Sequence, residues 1–184
     1  MNFDFTEDQE QLRDAVRKWV DKAYTFERRQ TIEKSGGFSQ DACNEIAELG
    51  LGGLYISEAD GGLGMGPVEG MVVMEELGRG IVLEPFAQTL ICSGVLSGYA
   101  PAELKAAWLP KIASGEALVV LAYQERAARY KLDECVAKAE KMASKTSVAG
   151  VLYVLNAIKS IVSIGDKAQA FLVPAILDGK MALF

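Results

Sequence analysis

The chain has 184 residues and half of them are hydrophobic, so it can bury a sizeable core and is not a disordered protein. Acidic residues outnumber basic residues by 25 to 19, which argues against a protein that works by binding nucleic-acid phosphates. Histidine is absent, and this excludes Ser–His and Cys–His nucleophile pairs and histidine-based metal sites.

Cys43, Cys92 and Cys135 are widely spaced and form no CxxC motif, so neither a zinc cluster nor a disulfide framework is predicted. We interpret them as small hydrophobic residues in a reducing compartment. The amino terminus is acidic where a signal peptide would be basic, and the longest uncharged run, 85–102, is interrupted by proline and glycine. We therefore expect a cytoplasmic protein without a membrane span.

The amino-terminal part of the chain is predicted to be helical. Thr6 and Gln9 form a capping box at the start of a first helix, which we expect to end near residues 26–29. Ser39 is a suitable cap for a second helix, and Gly50 is a natural terminator for it.

Three more helices follow in the same part of the chain. Pro67 and Pro101 each open one, because proline at the first helical position loses no needed hydrogen bond. Between them, residues 85–97 carry apolar side chains at helical spacing. Pro110 is expected to break or kink the last helix.

A glycine-rich stretch at 61–66 precedes Pro67 and invites comparison with phosphate-binding loops. It contains neither a GxGxxG motif nor the GxxxxGK[ST] pattern, so a phosphate site is disfavoured. A tight connection between helices that uses positive φ angles is the preferred interpretation.

The pattern changes after Gly115 from helical to strand-like. Short apolar or β-branched segments are predicted as strands at 118–123, 151–155, 158–163, 170–173 and 181–184, with a turn at 178–179. Residues 131–145 are ambiguous, because their local spacing predicts a helix although they lie between strand-like segments. The predicted class is α+β, with a bundle of five or six helices in 1–116 and a partial antiparallel β domain in 117–184.

Two groups of charged residues are candidates for chemistry, and each has a simpler interpretation. Glu75 and Glu76 point about 100° apart on a helix and cannot share one substrate proton, so we expect a solvated face. The basic stretch 126–131 is typical either of a contact with an anionic group or of an exposed turn. No metal site and no catalytic residue is assigned.

Several motifs occur in a distinctive order along the chain. They are the opening segment 1–17, Ala47-Glu-Leu-Gly-Leu-Gly-Gly-Leu, Glu58-Ala-Asp-Gly-Gly-Leu-Gly, Met74-Glu-Glu-Leu-Gly-Arg and Leu109-Pro-Lys-Ile-Ala-Ser-Gly-Glu. Together they resemble the acyl-CoA dehydrogenase family. Leu83-Glu-Pro-Phe and the stretch 125–130 resemble a bacterial subgroup that includes the small subunit of pimeloyl-CoA dehydrogenase.

The resemblance implies a fold and an activity. Family members have a helical domain, a middle β domain and a carboxy-terminal helical domain, and this chain resembles the first and the start of the second. They oxidise an acyl-CoA thioester with FAD, pass electrons to an electron-transfer flavoprotein, and assemble as homo- or hetero-oligomers. Their catalytic glutamate belongs to the carboxy-terminal domain, so we expect a truncated chain that is not active alone.

The resemblance also assigns cofactor contacts. The family's Thr-Glu pair matches Gln124-Glu125, which puts Tyr123 and Gln124 at the flavin ring. The family's Trp-Ile-Thr segment matches 161–163, so Ser163 keeps a hydroxyl there. The alternatives are that Gln124 is a polar strand end and Ser163 a turn hydroxyl. The 61–66 loop and the helix after it are expected to line the acyl chain.

A different class of function stays open at this point. The chain is also compatible with a non-catalytic helical module that binds a partner through an apolar face, or with a regulatory subunit of a heteromeric dehydrogenase. Such a module needs the buried helix stripes but no flavin-binding hydroxyl, so bound flavin distinguishes the two hypotheses.

Overall fold

A computed structural model describes residues 4–129, 131–142 and 152–184. The chain divides into two compact units between Leu118 and Val119. The first unit is helical and the second contains the strands. The α+β class is therefore confirmed.

The helical unit contains six α-helices. Their bounds are α1 (Glu7–Ala23), α2 (Phe26–Lys34), α3 (Gln40–Glu48), α4 (Pro67–Arg79), α5 (Phe86–Tyr99) and α6 (Ala102–Ala113). The capping box is confirmed, since the Gln9 amide donates to Thr6 Oγ1 at 3.2 Å and the Thr6 amide donates to Gln9 Oε1 at 3.0 Å. Ser39 caps α3 through the Ala42 amide at 3.2 Å.

The predicted end of the first helix is wrong. α1 stops at Ala23, and a separate helix, α2, begins at Phe26. Thr25 makes this break because its hydroxyl accepts from the Arg28 amide at 3.2 Å and so caps a new helix. Pro110 does not break α6, which continues to Ala113.

The main core of the helical unit lies between α1 and α4 and extends to α3 and α5. Its buried members come from five segments of the chain: Val16, Val20, Ile46, Leu51, Leu54, Val73, Leu77, Phe86 and Leu90. Each such side chain stabilises the fold by about 1.5–3 kcal/mol relative to full exposure. Only one face of α4 packs against this core, and Val68 and Met71 on the other face of the helix are exposed.

Glu76 contradicts the prediction of a solvated pair, although Glu75 is exposed as expected. Glu76 is 2% exposed, and its carboxylate accepts from Arg17 Nη2 at 2.6 Å and from Arg79 Nε at 2.8 Å. Because Arg17 lies on α1, the pair ties α1 to α4 at the edge of the core. Hydrogen bonding to Arg17 lowers the pKa of Glu76, so the carboxylate stays ionised.

The glycine-rich stretch is a tight connection into α4. Gly61 and Gly64 have φ angles of +86° and +61°, which favour glycine. Every backbone N–H from Gly61 to Gly66 donates to an oxygen of the helical unit, at 2.8–3.0 Å. No amide of this loop is left to bind a phosphate, so the structure supports the preferred interpretation.

Within its described residues, the β unit contains six short strands in two sheets. Their bounds are β1 (Val119–Leu121), β2 (Lys138–Lys141), β3 (Tyr153–Asn156), β4 (Ala170–Leu172), β5 (Pro174–Leu177) and β6 (Lys180–Leu183). β1 pairs with β4, and the other four lie in the order β3-β2-β5-β6. The β1–β4 sheet is parallel, and the four-stranded sheet is mixed because its β2–β5 pair is parallel, so both differ from the predicted antiparallel arrangement.

One strand prediction and one local helix prediction need correction. Residues 158–163 form no strand; they are irregular and lead into a turn. Residues 131–142 form no helix, and β2 lies within them. The remainder of the ambiguous segment, 143–145, falls outside the described residues. Within the described residues, no helix combines the length and apolar character that a bilayer crossing requires.

Candidate functional site

The candidate site begins where β1 ends. Val119 and Val120 are buried, and β4 holds the strand in register through the pair Val120–Phe171. The Ala122 amide donates to the carbonyl of Leu172 at 2.9 Å, which extends the pairing by one residue. Tyr123 and Gln124 follow at once, so the sheet fixes the position from which their side chains leave.

Gln124 is joined to the segment before β4. The Ser160 amide donates to the Gln124 carbonyl at 2.9 Å, and Gln124 Nε2 lies 3.4 Å from the hydroxyl of Tyr123. Tyr123 is itself 38% exposed. The structure thus brings Gln124 and Ser160 together although they are far apart in sequence.

An open depression of about 270 Å³ lies beside this contact. Its lining residues come from the end of β1 and from the segment before β4: Gln124, Glu125, Arg126, Arg129, Ser160 and Ile161. Arg126 and Arg129 are exposed, so their charges are available to a ligand. The basic stretch forms an exposed turn at 126–129, and two arginines of that turn also line this concave surface.

Ser163 is not among the residues that line the depression. It is exposed and opens the turn that follows the irregular segment. Ile161 lines the depression and is 87% exposed, with a φ angle of +53° that is rare for a β-branched residue. The shared role of Tyr123, Gln124 and Ser163 in cofactor binding stays a prediction.

A buried ion pair lies beneath the site, and it was not predicted from the sequence. Lys159 Nζ lies 2.6 Å from Glu125 Oε1, and their side chains are only 7% and 6% exposed. The Glu125 carboxylate also accepts from the Val136 amide at 2.6 Å and from the Ala137 amide at 3.2 Å. One sequence signal was present, since Lys159 is the sole charged residue in the apolar stretch 152–164.

The electrostatics of Glu125 follow from these contacts. Burial alone raises its pKa, but the Lys159 ammonium and the two backbone amides outweigh burial and lower the pKa to about 2. Glu125 is therefore ionised near neutral pH. A carboxylate held in this way stabilises structure and does not exchange protons with a substrate.

The helical unit has a cavity of about 40 Å³ with one carboxyl group in its wall. Glu84 lines this cavity, is 6% exposed, and neither of its oxygens has a hydrogen-bond partner among the described residues. Burial raises the pKa of Glu84, an effect that the nearby Tyr24 hydroxyl offsets only in part. Among the described residues no group of acidic or cysteine side chains could hold a metal ion.

The helical unit matches a family model over nearly its whole length. The model of the acyl-CoA dehydrogenase N-terminal domain covers residues 6–116, which is more than half of the chain. The chain belongs to the acyl-CoA dehydrogenase family. The resemblance drawn from the motifs is thereby confirmed.

Three relatives illustrate the match. Mitochondrial isobutyryl-CoA dehydrogenase from Dictyostelium discoideum is 28% identical over 177 residues, which are 94% of this chain and 37% of that protein. A chain in the crystal structure of the ChsE4–ChsE5 complex from Mycobacterium tuberculosis is similar with a TM-score of 0.83 and 26% identity, over 100% of this chain and 48% of that one.

The third relative shows the fold alone. A glutaryl-CoA dehydrogenase from Mycobacterium smegmatis in complex with FADH2 has a TM-score of 0.80 and 20% identity, over 98% of this chain and 45% of that one. This chain spans less than half the length of each of these three proteins.

The chemistry of the depression is compatible with a flavin nucleotide. A flavin ring carries hydrogen-bond acceptors along its edge, and its nucleotide part carries phosphates. The depression presents the Gln124 amide, the Ser160 hydroxyl and two exposed guanidinium groups, which are donors and positive charges. The donor set therefore fits this kind of group.

Proposed function

We propose that this chain contributes the helical domain and one wall of the flavin site to an FAD-dependent acyl-CoA dehydrogenase. The observation that carries the proposal is the depression at the end of β1, where donors and positive charges converge. Membership of the family supports FAD as the cofactor and an acyl-CoA thioester as the substrate. The 61–66 loop and α4 are the proposed lining of the acyl chain.

The residues of this chain have binding roles in the proposed reaction. FAD, when bound, supplies the acceptor for the hydride that leaves the acyl β-carbon. Gln124 and Ser163 are the proposed hydrogen-bond donors to the flavin ring, with Tyr123 beside them. Arg126 and Arg129 attract negative charge to the same surface, and Ile161 offers it an apolar contact.

The proposed reaction also needs a base for the proton on the acyl α-carbon, and a base works best with a pKa near the working pH. Glu125 lines the depression but has a pKa of about 2 and is bonded to Lys159 and to two amides. It is therefore unsuited to this task. We propose that the base is supplied from outside the two units, for which the family resemblance suggests a carboxy-terminal domain.

Assembly with other chains is part of the proposal. All four residues of β3 are exposed, including the apolar Tyr153, Val154 and Leu155, and such a surface favours association. A homo- or hetero-oligomer covers it, and an electron-transfer flavoprotein is the proposed electron acceptor. The same exposed strand favours the second candidate function, a non-catalytic interaction module or regulatory subunit.

Purification of the native assembly from its source tests the proposal. We expect visible flavin absorption, release of FAD on denaturation, and a change in the flavin spectrum when an acyl-CoA is added. If the assembly contains no flavin and does not bind acyl-CoA at any concentration tested, the dehydrogenase assignment is contradicted and the interaction module is supported. Replacement of Gln124 by leucine is the specific check, since it removes one proposed donor at an incompletely buried position.

A further inference from the structure

The segment 157–164 is held in place by unusual means. Ile158 and Ile161 are 86% and 87% exposed, so the segment gains little from apolar burial. Ile161 and Ile164 both have φ angles above +50°, which β-branched residues rarely adopt. Lysine is normally exposed and isoleucine buried, yet here the order is reversed, because the Lys159 side chain is only 7% exposed.

Lys159 connects its segment to two others. Its ammonium donates to Glu125 Oε1 at 2.6 Å and to the Pro174 carbonyl at 2.7 Å. These partners lie just after β1 and at the start of β5. The next residue, Ser160, donates its amide to the Gln124 carbonyl at 2.9 Å. The charged contact and the backbone contact are therefore adjacent, and both fix the segment to the end of β1.

Glu125 connects the Lys159 segment to the residues that lead into β2. Its carboxylate accepts the amides of Val136 and Ala137, which lead into β2, in addition to the Lys159 ammonium. A single buried carboxylate thus sets the relative position of three segments of the β unit. Hydrogen bonds to a charged group are shorter and stronger than neutral ones.

Stability alone does not explain such a pair. The cost of removing two charges from water offsets most of their attraction, and well-packed apolar side chains of similar volume often serve equally well. Apolar side chains cannot form hydrogen bonds to specific partners. The ammonium and carboxylate fix the segment at defined hydrogen-bonding distances beside Gln124.

We propose that Glu125 and Lys159 are positioning residues of the flavin site, which hold Ser160 and Ile161 beside Gln124 so that the wall of the depression has one shape. The inference rests on the proposed function for the identity of the ligand. It assigns no contact between either residue and the flavin. Each acts through the segment that it fixes.

The test compares three variants with the wild-type assembly. Lys159→Met removes the ammonium, and Lys159→Arg keeps a positive charge. The double variant Glu125→Leu with Lys159→Met replaces the pair by apolar side chains. Lys180→Met is the matched control, because Lys180 is an exposed lysine of β6, away from the lining residues.

We expect the Lys159→Met variant to bind FAD about tenfold more weakly, with altered circular dichroism of the bound flavin. The double variant leaves the Val136 and Ala137 amides without their acceptor, so we expect it to recover neither the melting temperature nor the flavin affinity. Lys159→Arg is expected to recover part of the affinity. Lys180→Met should leave affinity and spectrum unchanged. A folded Lys159→Met variant with wild-type affinity and spectrum overturns the proposal, as does a double variant that recovers both.

A second measurement needs no flavin and separates this inference from the proposed function. Hydrogen exchange of the Ser160 amide, which bonds to Gln124, is expected to be about tenfold faster in flavin-free Lys159→Met than in wild type. Unchanged exchange overturns the positioning role whatever the ligand. If wild type binds no FAD while Ser160 exchange rises, the proposed function fails and the structural role of the pair stands.

Discussion

Replacement of Lys159 by methionine is also expected to lower the free energy of unfolding of the β unit by a defined amount. The variant leaves the Glu125 carboxylate buried without its ammonium, in a place where the two side chains are only 7% and 6% exposed. Breaking a buried pair in this way costs about 3–5 kcal/mol. Lowering the pKa of Glu125 from 4.5 to about 2 corresponds to about 3 kcal/mol, which is the net effect of burial, the Lys159 ammonium and the two backbone amides together.

The pH dependence of this stability has a definite sign. Because the pKa of Glu125 is lower in the folded state, its contribution is fully present above a pH of about 4.5 and is lost as the pH falls towards 2. We expect the difference between wild type and Lys159→Met to be largest near neutral pH and to shrink through that acidic range. The exposed Lys180→Met control should not show this difference.

The assay must report on the β unit alone. Both tryptophans, Trp19 and Trp108, lie in the helical unit, so tryptophan fluorescence does not follow the strands. Hydrogen exchange of the amides in 136–141 does, because two of them bond to Glu125 and the others belong to β2. If their free energies of opening differ by less than about 0.5 kcal/mol between wild type and Lys159→Met at neutral pH, the reasoning is refuted.

Two further predictions concern the helical unit, where tryptophan fluorescence during urea unfolding is the measurement. Because burial raises the pKa of Glu84, the free energy of unfolding of the wild-type unit falls as the pH rises through that pKa. Glu84→Gln is expected to remove this loss, which is about 1–3 kcal/mol. Identical pH profiles for wild type and Glu84→Gln would contradict this prediction. A Cβ at Gly62 would lie 2.3 Å from the Ile56 carbonyl oxygen, so Gly62→Ala is expected to cost about 1–3 kcal/mol. A Cβ added at Gly78 of α4 would have no atom within 4 Å, so Gly78→Ala should instead stabilise the helical unit by about 0.5–1 kcal/mol. Equal urea midpoints for Gly62→Ala and Gly78→Ala would disprove this steric explanation.

Helix starts could be predicted from the sequence because their determinants are local. Thr6, Ser39 and Pro67 act within three residues of the helix that they begin, so the pattern is visible without the fold. α2 was missed for the opposite reason. It contributes a single buried residue, Ile32, and has no apolar stripe to distinguish it from a continuation of α1.

The charged residues that organise the structure could not be predicted. Glu76 meets Arg17 across 59 residues of sequence, and Lys159 meets Glu125 across 34. Local spacing contains no information about such partners, and without them a charged residue is correctly expected at the surface. The same limit explains residues 131–142, where pairing with β3 and β5 overrides a local helical preference.

The candidate site was predictable in part. The family resemblance implied that the end of β1 and the segment 161–163 meet at one flavin site, and the structure brings Gln124 beside Ser160 and Ile161. It leaves Ser163 outside the lining of the depression. The backbone of this segment turns through positive φ angles at two isoleucines, which their residue type does not suggest.

The parallel β1–β4 pair constrains the order in which the chain acquires structure during synthesis. Val119 meets Ala170, so this partner emerges from the ribosome about fifty residues later. Until then the apolar side chains of Val119 and Val120, buried in the finished protein, are without the strand that covers them. We expect nascent chains halted between β1 and β4 to be bound by chaperones or degraded, whereas those extended beyond Leu172 become resistant to protease.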